Sequence, residues 1–306
     1  MRISFCCTDT PAEPWLNDLR AALPGADVSL WQPGAAPADY GVVWMPPQAF
    51  FDEQPQLKAA FNIGAGVDAL LRLKVPPTTQ LVRLDDAGMG VQMAAYVCHA
   101  LIRHYRQFAG YAADQAQGRW QGREIVPRTA MPVGIMGLGV LGARVAHAVA
   151  QFGFPVNGWS RTAKDLPGAR CYSGPGGFHD FLAASRVLVS VLPATPETRD
   201  LINRDTLSRL QPGAYLINVA RGSQLVEEDL LALLDSGHMA GAALDVFRTE
   251  PLPAGHPFWT HPQIAITPHS AALTIRGESV AQITGKMLAL EAGRAVAGLV
   301  DRQRGY

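Results

Sequence analysis

Residues 133–142 read VGIMGLGVLG. The first four residues are apolar or small and predict a buried β-strand, and the periodic apolar pattern that follows predicts an amphipathic helix. Between strand and helix, Gly137, Gly139 and Gly142 have the spacing of a dinucleotide-binding turn: they allow a tight turn, close approach of a pyrophosphate and close helix–strand packing. We interpret the motif as a dinucleotide site; a glycine-rich turn without a ligand is the alternative.

The pattern around this motif repeats through the second half of the chain. Short apolar runs alternate with amphipathic stretches, which is typical of βαβ units and a parallel sheet. The predicted strands cover residues 133–136, 156–159, 187–192, 215–219, 242–246 and 264–267, and the clearest helices cover 143–152 and 226–235. This half of the chain therefore predicts an α/β fold with a Rossmann-type, doubly wound parallel sheet.

The first hundred residues show the same alternation on a smaller scale. Strands are predicted at residues 3–7, 28–31, 42–45, 61–63 and 81–84. A long periodic segment at 91–113 would leave this layer, and a helix at 275–290 would return to it. We therefore predict a smaller, flavodoxin-like α/β outer domain made of residues 1–97 and 277–306, with the dinucleotide-binding domain of residues 98–276 inserted into it and the active cleft between them.

Composition limits the possible partners. The chain has 306 residues, 26 Lys and Arg and 26 Asp and Glu, so it has no charge surplus with which to bind nucleic acid or an anionic membrane. Met1–Thr10 lacks the apolar core of a signal peptide, and no run of about 18 apolar residues occurs. The four cysteines show no metal-ligand spacing. We expect a soluble, cytoplasmic protein with reduced thiols and no metal.

The residues after the second strand of the larger domain indicate which dinucleotide is bound. An NAD-selective site has an acidic residue there to bind the ribose 2′-hydroxyl, whereas this chain has Ser160, Arg161 and Thr162, with Lys164 nearby. A hydroxyl and two cations favour a 2′-phosphate. The sequence therefore predicts NADP(H) in preference to NAD(H), although Arg161 taken alone could be an ordinary solvated charge.

Three polar residues follow other predicted strands, where ligands of an open parallel sheet bind. Arg221 can bind a carboxylate and polarise the adjacent carbonyl group, and His269 can act as general acid. Glu250, if hydrogen-bonded to the imidazole, would stabilise its protonated form and its orientation. Each residue has an ordinary structural alternative, namely a salt-bridged strand end, a loop carboxylate and a half-buried histidine. Their joint placement favours reduction of a 2-oxo acid.

Four segments together resemble the D-isomer-specific 2-hydroxyacid dehydrogenase family: GLGVLG (137–142), NVARG (218–222), LDVFRTEPLP (244–253) and TPHSA (267–271). The resemblance places Arg221, Glu250 and His269 on the catalytic residues of the family. Across its whole length the chain is similar to the family's bacterial glyoxylate/hydroxypyruvate reductases. That resemblance implies NADPH as cofactor, glyoxylate or hydroxypyruvate as substrate, and a homodimer.

The resemblance and the strand-end positions define the complete expected site. Expected cofactor-binding residues are Gly137, Gly139, Val140, Leu141, Gly142, Ser160, Arg161, Thr162, Lys164, Leu192, Pro193, Val219, Ala220 and Asp245. Expected substrate-binding residues are Trp44, Gly64, Ala65, Gly66 and Arg221, where the glycines would expose backbone amides to a carboxylate. Core packing is an alternative role for Trp44.

Two other functions remain possible from the sequence. Some relatives of this fold are nucleotide-sensing corepressors, but this chain shows no extended polar tail. Another dehydrogenase, such as one that oxidises formate, is the second alternative. Formate enzymes pair their histidine with glutamine, so Glu250 favours the 2-oxo acid reductase.

Overall fold

A computed structural model describes residues 1–306. The strands are β1 (Arg2–Cys7), β2 (Asp27–Leu30), β3 (Tyr40–Trp44), β4 (Ala59–Asn62), β5 (Gln80–Val82), β6 (Val133–Met136), β7 (Val156–Ser160), β8 (Ala169–Ser173), β9 (Val187–Ser190), β10 (Ala214–Asn218), β11 (Met239–Leu244) and β12 (Ile264–Ile266). The helices are α1 (Ala12–Ala22), α2 (Gln48–Glu53), α3 (Met89–Tyr105), α4 (Phe108–Ala116), α5 (Val140–Gln151), α6 (Gly174–Ala183), α7 (Arg204–Ser208), α8 (Glu227–Asp235) and α9 (Arg276–Glu291).

The chain forms two compact units. The first contains Met1–Met89 and Thr274–Tyr306, and the second contains Gly90–Leu273. The sequence placed the boundaries at 97/98 and 276/277 instead. The first of these falls inside α3, which is one continuous helix. The periodic pattern of a helix contains no mark of the point where one unit ends, so the difference is of the kind expected for boundaries read from periodicity.

The first unit is built on a five-stranded sheet. Its strand order is β2-β1-β3-β4-β5, and every neighbouring pair is parallel. This is the doubly wound 2-1-3-4-5 order of flavodoxin-like domains. The residues of β4 are all buried, and Phe50 and Phe51 of α2 pack in the core on one face. The small outer domain therefore has the fold class that its sequence predicted.

The second unit is built on a seven-stranded parallel sheet with the order β12-β11-β10-β9-β6-β7-β8. The chain reverses its direction of winding between β6 and β9, which pair with Val133 opposite Val187. Ligands of such sheets bind beyond the carboxyl ends of the strands at this reversal. The Rossmann-type fold is confirmed, and the glycine turn after β6 lies at the reversal point.

Both faces of this sheet are covered by helices, which explains why its strands are apolar on both sides. On one face, α5 buries Val145 and Val149, and α3 buries Val97 and Leu101 in the same core. On the other face, Leu230 and Leu233 of α8 contribute to a second core. Burying a leucine or valine side chain contributes roughly 1.5–3 kcal/mol, so these two layers hold the strand ends in fixed positions.

Two features differ from the sequence prediction. The periodic segment at 91–113 is two helices rather than one, because Gln107 adopts the left-handed conformation with φ 54° and separates α3 from α4. The strand β8 was not predicted. It lies at the edge of the sheet, and none of its five residues is fully buried, so it lacks the apolar run that identified the other strands.

None of the helices combines the length and the apolar character that crossing a membrane requires.

Candidate active site

The turn after β6 has the geometry that a dinucleotide needs. Gly137 has φ 100°, a left-handed conformation that favours glycine, and its N–H donates to the Trp159 carbonyl at 2.8 Å. A Cβ atom on Gly142 would overlap the Gly137 carbonyl oxygen, so strand and helix require glycine here. Gly139 has open space where its Cβ would be, at the start of α5. The N-terminus of α5, with Val140 and Leu141 in its first turn, therefore fits a pyrophosphate.

The loop after β7 contains the residues expected near the adenosine ribose. Ser160 is nearly buried and its Oγ donates to the Thr162 carbonyl at 2.8 Å, while Arg161, Thr162 and Lys164 are exposed. No carboxylate follows β7 directly. The charge of Arg161 also reaches Glu197, whose pKa is lowered by its own backbone N–H, by Thr195 and, more weakly, by Arg161. The segment 160–162 with Lys164 suits a 2′-phosphate better than a 2′-hydroxyl.

His269 and Glu250 form a hydrogen-bonded pair. Nδ1 of His269 lies 2.8 Å from Oε2 of Glu250, and Oε1 of Glu250 accepts the backbone N–H of Phe247 at 2.9 Å. The His269 side chain is 45% exposed and that of Glu250 is 37% exposed. With Nδ1 facing the carboxylate, Nε2 is the nitrogen left to serve a substrate. The pair predicted from the sequence is therefore formed in the structure.

The charge state of Glu250 follows from its surroundings. Burial raises the pKa of this carboxyl group, but hydrogen bonds from His269 and from the Phe247 N–H lower it. The charges of His269 and Arg221 lower it further, and the net shift of the pKa is downward. Glu250 therefore remains a carboxylate in neutral and mildly acidic solution, with its negative charge beside Nδ1 of His269. The guanidinium of Arg221 is therefore close enough for its positive charge to lower the pKa of Glu250.

Arg221 is held by the turn that follows β10. The buried side chain of Asn218 accepts the Ala220 N–H at 3.1 Å and donates to the Arg221 carbonyl at 3.2 Å. The guanidinium donates through Nη1 to the Ala220 carbonyl at 2.7 Å. Gly222 then packs against the main chain of Phe247, on the loop that carries Glu250. The loops of Arg221 and Glu250 are thus in direct backbone contact.

A buried glutamine joins this turn to the loop after β9. Nε2 of Gln224 donates to the carbonyl groups of Leu192 and Pro193, both at 3.0 Å, and Oε1 accepts Ser190 Oγ at 2.8 Å. Gln224 is completely buried. Its three hydrogen bonds fix Leu192 and Pro193, two expected cofactor contacts, relative to the turn of Arg221. The N–H of Val219, another expected contact, donates to the Ser190 carbonyl at 3.4 Å.

Asp245, an expected cofactor contact, is buried beside the loop that carries His269. Its carboxyl group is 1% exposed and accepts hydrogen bonds from Thr267 Oγ1 at 2.6 Å, from Ser270 N–H at 2.8 Å and from Ala271 N–H at 2.9 Å. Both carboxylate oxygens are thus used within the protein. In this structure Asp245 anchors the loop that carries His269.

The expected substrate-binding residues of the first unit lie together at the end of its sheet. The ring of Trp44 packs over Gly64 so closely that a Cβ atom there would overlap it. The buried amide of Asn62 donates to the carbonyl groups of Gly64 at 3.0 Å and Gly66 at 2.9 Å. With its carbonyl groups turned toward Asn62, the loop can present the N–H groups of Gly64, Ala65 and Gly66 to an anion.

Sequence reasoning missed three supporting residues. Asn62, Asn218 and Gln224 are buried polar side chains, and each bonds the backbone of a loop with expected site residues. Asn62 and Asn218 are the last residues of β4 and β10. A polar residue that ends an apolar run could have identified Asn62 and Asn218. Gln224 stands inside a turn and had no such signal. Lys164 was expected at the site, and the structure shows it only as an exposed side chain.

Comparison with known proteins points to one family. Residues 98–271 match the model of the D-isomer specific 2-hydroxyacid dehydrogenase family, NAD binding domain. The glyoxylate/hydroxypyruvate reductase A of Yersinia enterocolitica is 42% identical over 313 residues and covers 100% of both chains. The protein of the same name from Serratia proteamaculans is 44% identical with the same coverage.

Solved structures agree with the sequence relatives. A D-isomer specific 2-hydroxyacid dehydrogenase from Xanthobacter autotrophicus Py2, in complex with NADPH and MES, superposes with a TM-score of 0.95 at 41% identity, covering 100% of this chain and 99% of that one. An NADPH-dependent glyoxylate/hydroxypyruvate reductase from Sinorhizobium meliloti, in complex with NADP and sulfate, gives a TM-score of 0.94 at 33% identity with the same coverage.

Proposed function

Because the chain belongs to the D-isomer specific 2-hydroxyacid dehydrogenases, we propose that it reduces short 2-oxo acids with NADPH. The substrates proposed are glyoxylate and hydroxypyruvate, and the products are glycolate and D-glycerate. The observation that carries the proposal is the 2.8 Å hydrogen bond between His269 and Glu250, on loops adjoining the turn of Arg221. A general acid with a supporting carboxylate is the arrangement that reduction of a carbonyl group requires.

The residues of the second unit fit NADPH. The turn of Gly137, Gly139 and Gly142 and the N-terminus of α5 would hold the pyrophosphate, and Ser160, Arg161 and Thr162 would hold the 2′-phosphate. The bound cofactor would supply the hydride that reduces the carbonyl carbon. Leu192, Pro193, Val219 and Ala220 lie on the two loops that Gln224 and Asn218 hold at the strand ends.

His269 would be the general acid. Its Nε2 proton would pass to the carbonyl oxygen of the substrate as negative charge develops there, while Glu250 holds the proton on Nδ1 and stabilises the imidazolium until transfer. The guanidinium of Arg221 would pair with the substrate carboxylate and polarise the neighbouring carbonyl group. Reduction of the carbonyl group would thus need one proton, from Nε2 of His269, in addition to the hydride that the cofactor would supply.

The loop of Gly64, Ala65 and Gly66 would bind a carboxylate through its backbone N–H groups. Asn62 supports this proposal because it holds the two glycine carbonyl groups on the far side of the loop. Trp44 packs on Gly64 and would limit the size of the group next to the carboxylate. A short 2-oxo acid fits this restriction better than a bulky one.

The enzyme is further proposed to be a cytoplasmic homodimer. The second unit exposes several large apolar side chains, among them Trp120 at 104%, Val91 at 63% and Phe152 at 46%. The segment around Trp120 is held by ion pairs of the buried Asp114 with Arg119 and Arg123. A fully exposed tryptophan on a fixed segment supports a protein partner, and a second copy is the simplest one. Four free cysteines support a reducing compartment.

The decisive experiment measures oxidation of NADPH and NADH by purified protein against five or six short 2-oxo acids. Turnover of glyoxylate or hydroxypyruvate with NADPH is expected, with glycolate and D-glycerate identified as products. A folded protein that shows no turnover with any 2-oxo acid would contradict the proposed function. Sedimentation equilibrium of the same sample, with a Trp120→Ser variant for comparison, tests the dimer; a monomeric wild-type protein would contradict it.

A further inference from the structure

Tyr96, on helix α3, reaches the loop of the general acid through a chain of two hydrogen bonds. Its Oη atom lies 2.7 Å from Oγ1 of Thr267, which in turn lies 2.6 Å from Oδ1 of Asp245. As a carboxylate, Asp245 can only accept, so Thr267 must give its single hydroxyl proton to Asp245. Thr267 can then only accept from Tyr96. The direction of the chain is therefore from Tyr96 to Thr267 to Asp245.

Asp245, the last acceptor of these hydrogen bonds, binds the backbone at His269 and at the two residues after it. The Asp245 carboxylate accepts the N–H groups of Ser270 and Ala271, the two residues that follow His269, and the Asp245 carbonyl accepts the His269 N–H at 2.8 Å. His269 has φ 52°, a left-handed conformation that costs a histidine of the order of 1 kcal/mol or more. These hydrogen bonds hold the residue in that conformation, so the direction of the imidazole depends on where Asp245 lies.

The buried position of Asp245 makes each of its donors important. The residue is 1% exposed, and a buried anion needs a full set of hydrogen bonds. A hydroxyl that itself accepts a hydrogen bond becomes a stronger donor, by about 10–30% per bond. Tyr96 therefore strengthens the bond from Thr267 to Asp245. Burial raises the pKa of the Tyr96 phenol and the charge of Asp245 raises it further; the net upward shift keeps the phenol a donor in neutral solution.

We propose that Tyr96 is a positioning residue for the reaction, acting through Thr267 and Asp245 on the orientation of His269. The proposal rests on the proposed function of His269 as general acid. It predicts that the Tyr96 hydroxyl affects the proton-transfer step and leaves substrate and cofactor binding nearly unchanged, since neither Tyr96 nor Thr267 is an expected contact of either ligand.

The first test compares two tyrosines of the same helix. Tyr96→Phe removes the hydroxyl and keeps the ring. Tyr105→Phe is the matched control, because the Tyr105 hydroxyl donates at 2.8 Å to the Val126 carbonyl, which has no link to Asp245. We expect Tyr96→Phe to lower kcat about three- to tenfold, the range of one lost hydrogen bond, with KM for both ligands within about twofold. Tyr105→Phe should keep the wild-type kcat, although both variants lose similar thermal stability.

A second test measures how far proton transfer limits the rate. With a misaligned general acid, proton transfer should limit the rate more strongly, so the solvent isotope effect on kcat should be larger for Tyr96→Phe than for wild type. A purely structural role would change Tm and leave the isotope effect unchanged. If Tyr96→Phe matches Tyr105→Phe in both kcat and isotope effect, the positioning role is wrong.

A third test asks whether Tyr96 acts through Thr267. Thr267→Val removes the linking hydroxyl, and Thr267→Ser restores it. If Tyr96 acts through Thr267, adding Tyr96→Phe to Thr267→Val should lower kcat no further, and Thr267→Ser should recover most of the wild-type kcat. Effects of the two substitutions that simply multiply would overturn the proposal. Wild-type protein inactive with every 2-oxo acid would instead contradict the proposed function, so the two failures are distinguishable.

Discussion

Gly222 packs directly against the main chain of Phe247, so closely that a Cβ atom at position 222 would overlap the Phe247 carbonyl group. This contact joins the turn of Arg221 to the loop of Glu250 without any intervening side chain. The relative position of guanidinium and carboxylate is therefore set by two backbones in contact.

Substituting Gly222 with alanine should separate these two loops. Because the overlap is with backbone rather than with a flexible side chain, the loops must move, and a misplacement near 1 Å can cost about 100-fold in rate. We expect Gly222→Ala to lower kcat/KM by roughly 10- to 100-fold and to lower Tm as well. Gly255→Ala is the control, since nothing lies near its Cβ position. Equal activity of the two variants would show that the contact does not position the site.

Replacing Glu250 with glutamine tests its support of the imidazolium. The carboxylate of Glu250 places a negative charge 2.8 Å from Nδ1 of the general acid, and a neutral amide removes that charge while keeping a hydrogen-bonding group of the same size. We expect the pH optimum for reduction to move downward and kcat at neutral pH to fall, both measured as kcat/KM from about pH 5 to 9. Glu228→Gln, on the exposed first turn of α8, is the control. An unchanged pH profile for Glu250→Gln would contradict the assigned role.

The 2′-phosphate contact can be tested at Arg161. Removal of a charge-assisted hydrogen bond to a phosphate costs about 1.5–3 kcal/mol, or roughly 10- to 100-fold. We therefore expect Arg161→Ala to lower kcat/KM for NADPH by that factor and to leave the value for NADH within about twofold. Arg170→Ala is the control, because Arg170 stacks on the ring of Tyr172 and has no expected cofactor contact. A parallel loss with both cofactors would mean that Arg161 does not recognise the 2′-phosphate.

Acid stability should depend on His104. This histidine stacks on Tyr215 with ring centroids 4.0 Å apart, and burial, followed by the charge of Arg186, lowers its pKa from 6.5 to about 4. Below pH 6.5 the unfolded chain binds a proton that the folded protein does not. The free energy of unfolding therefore falls between pH 6.5 and about 4, by roughly 3 kcal/mol in total.

His104→Phe keeps a stacked ring and removes this titration. Urea unfolding at pH 7, 5.5 and 4.5 should show a smaller loss of stability toward acid than in wild type, whereas His179→Phe, at an exposed position, should lose stability as wild type does. The same acid dependence in His104→Phe and wild type would mean that other groups cause it.

Part of the site could be predicted because its residues are marked by a short spacing in the sequence or by their position shortly after a strand. Gly137, Gly139 and Gly142 lie within six residues, and Arg221 and His269 each stand three residues after the end of a strand. A parallel sheet brings the carboxyl ends of its strands to one edge, so knowing which residue follows each strand is nearly enough to assemble the trio. The hydrogen bond of His269 to Glu250 and the all-parallel topology of both sheets agree with that reasoning.

The sequence by itself determined the alternation of strands and helices, the glycine turn and the identity of the reactive side chains, because each depends on periodicity or on a short spacing. Tertiary structure alone decided that Asp245 anchors the loop of His269, that Gln224 joins two cofactor loops, and that Tyr96 reaches Thr267 across 171 residues of chain. Those contacts depend on how the helix and loops pack onto the sheet, and no spacing along the chain records the distance between two atoms that packing brings together.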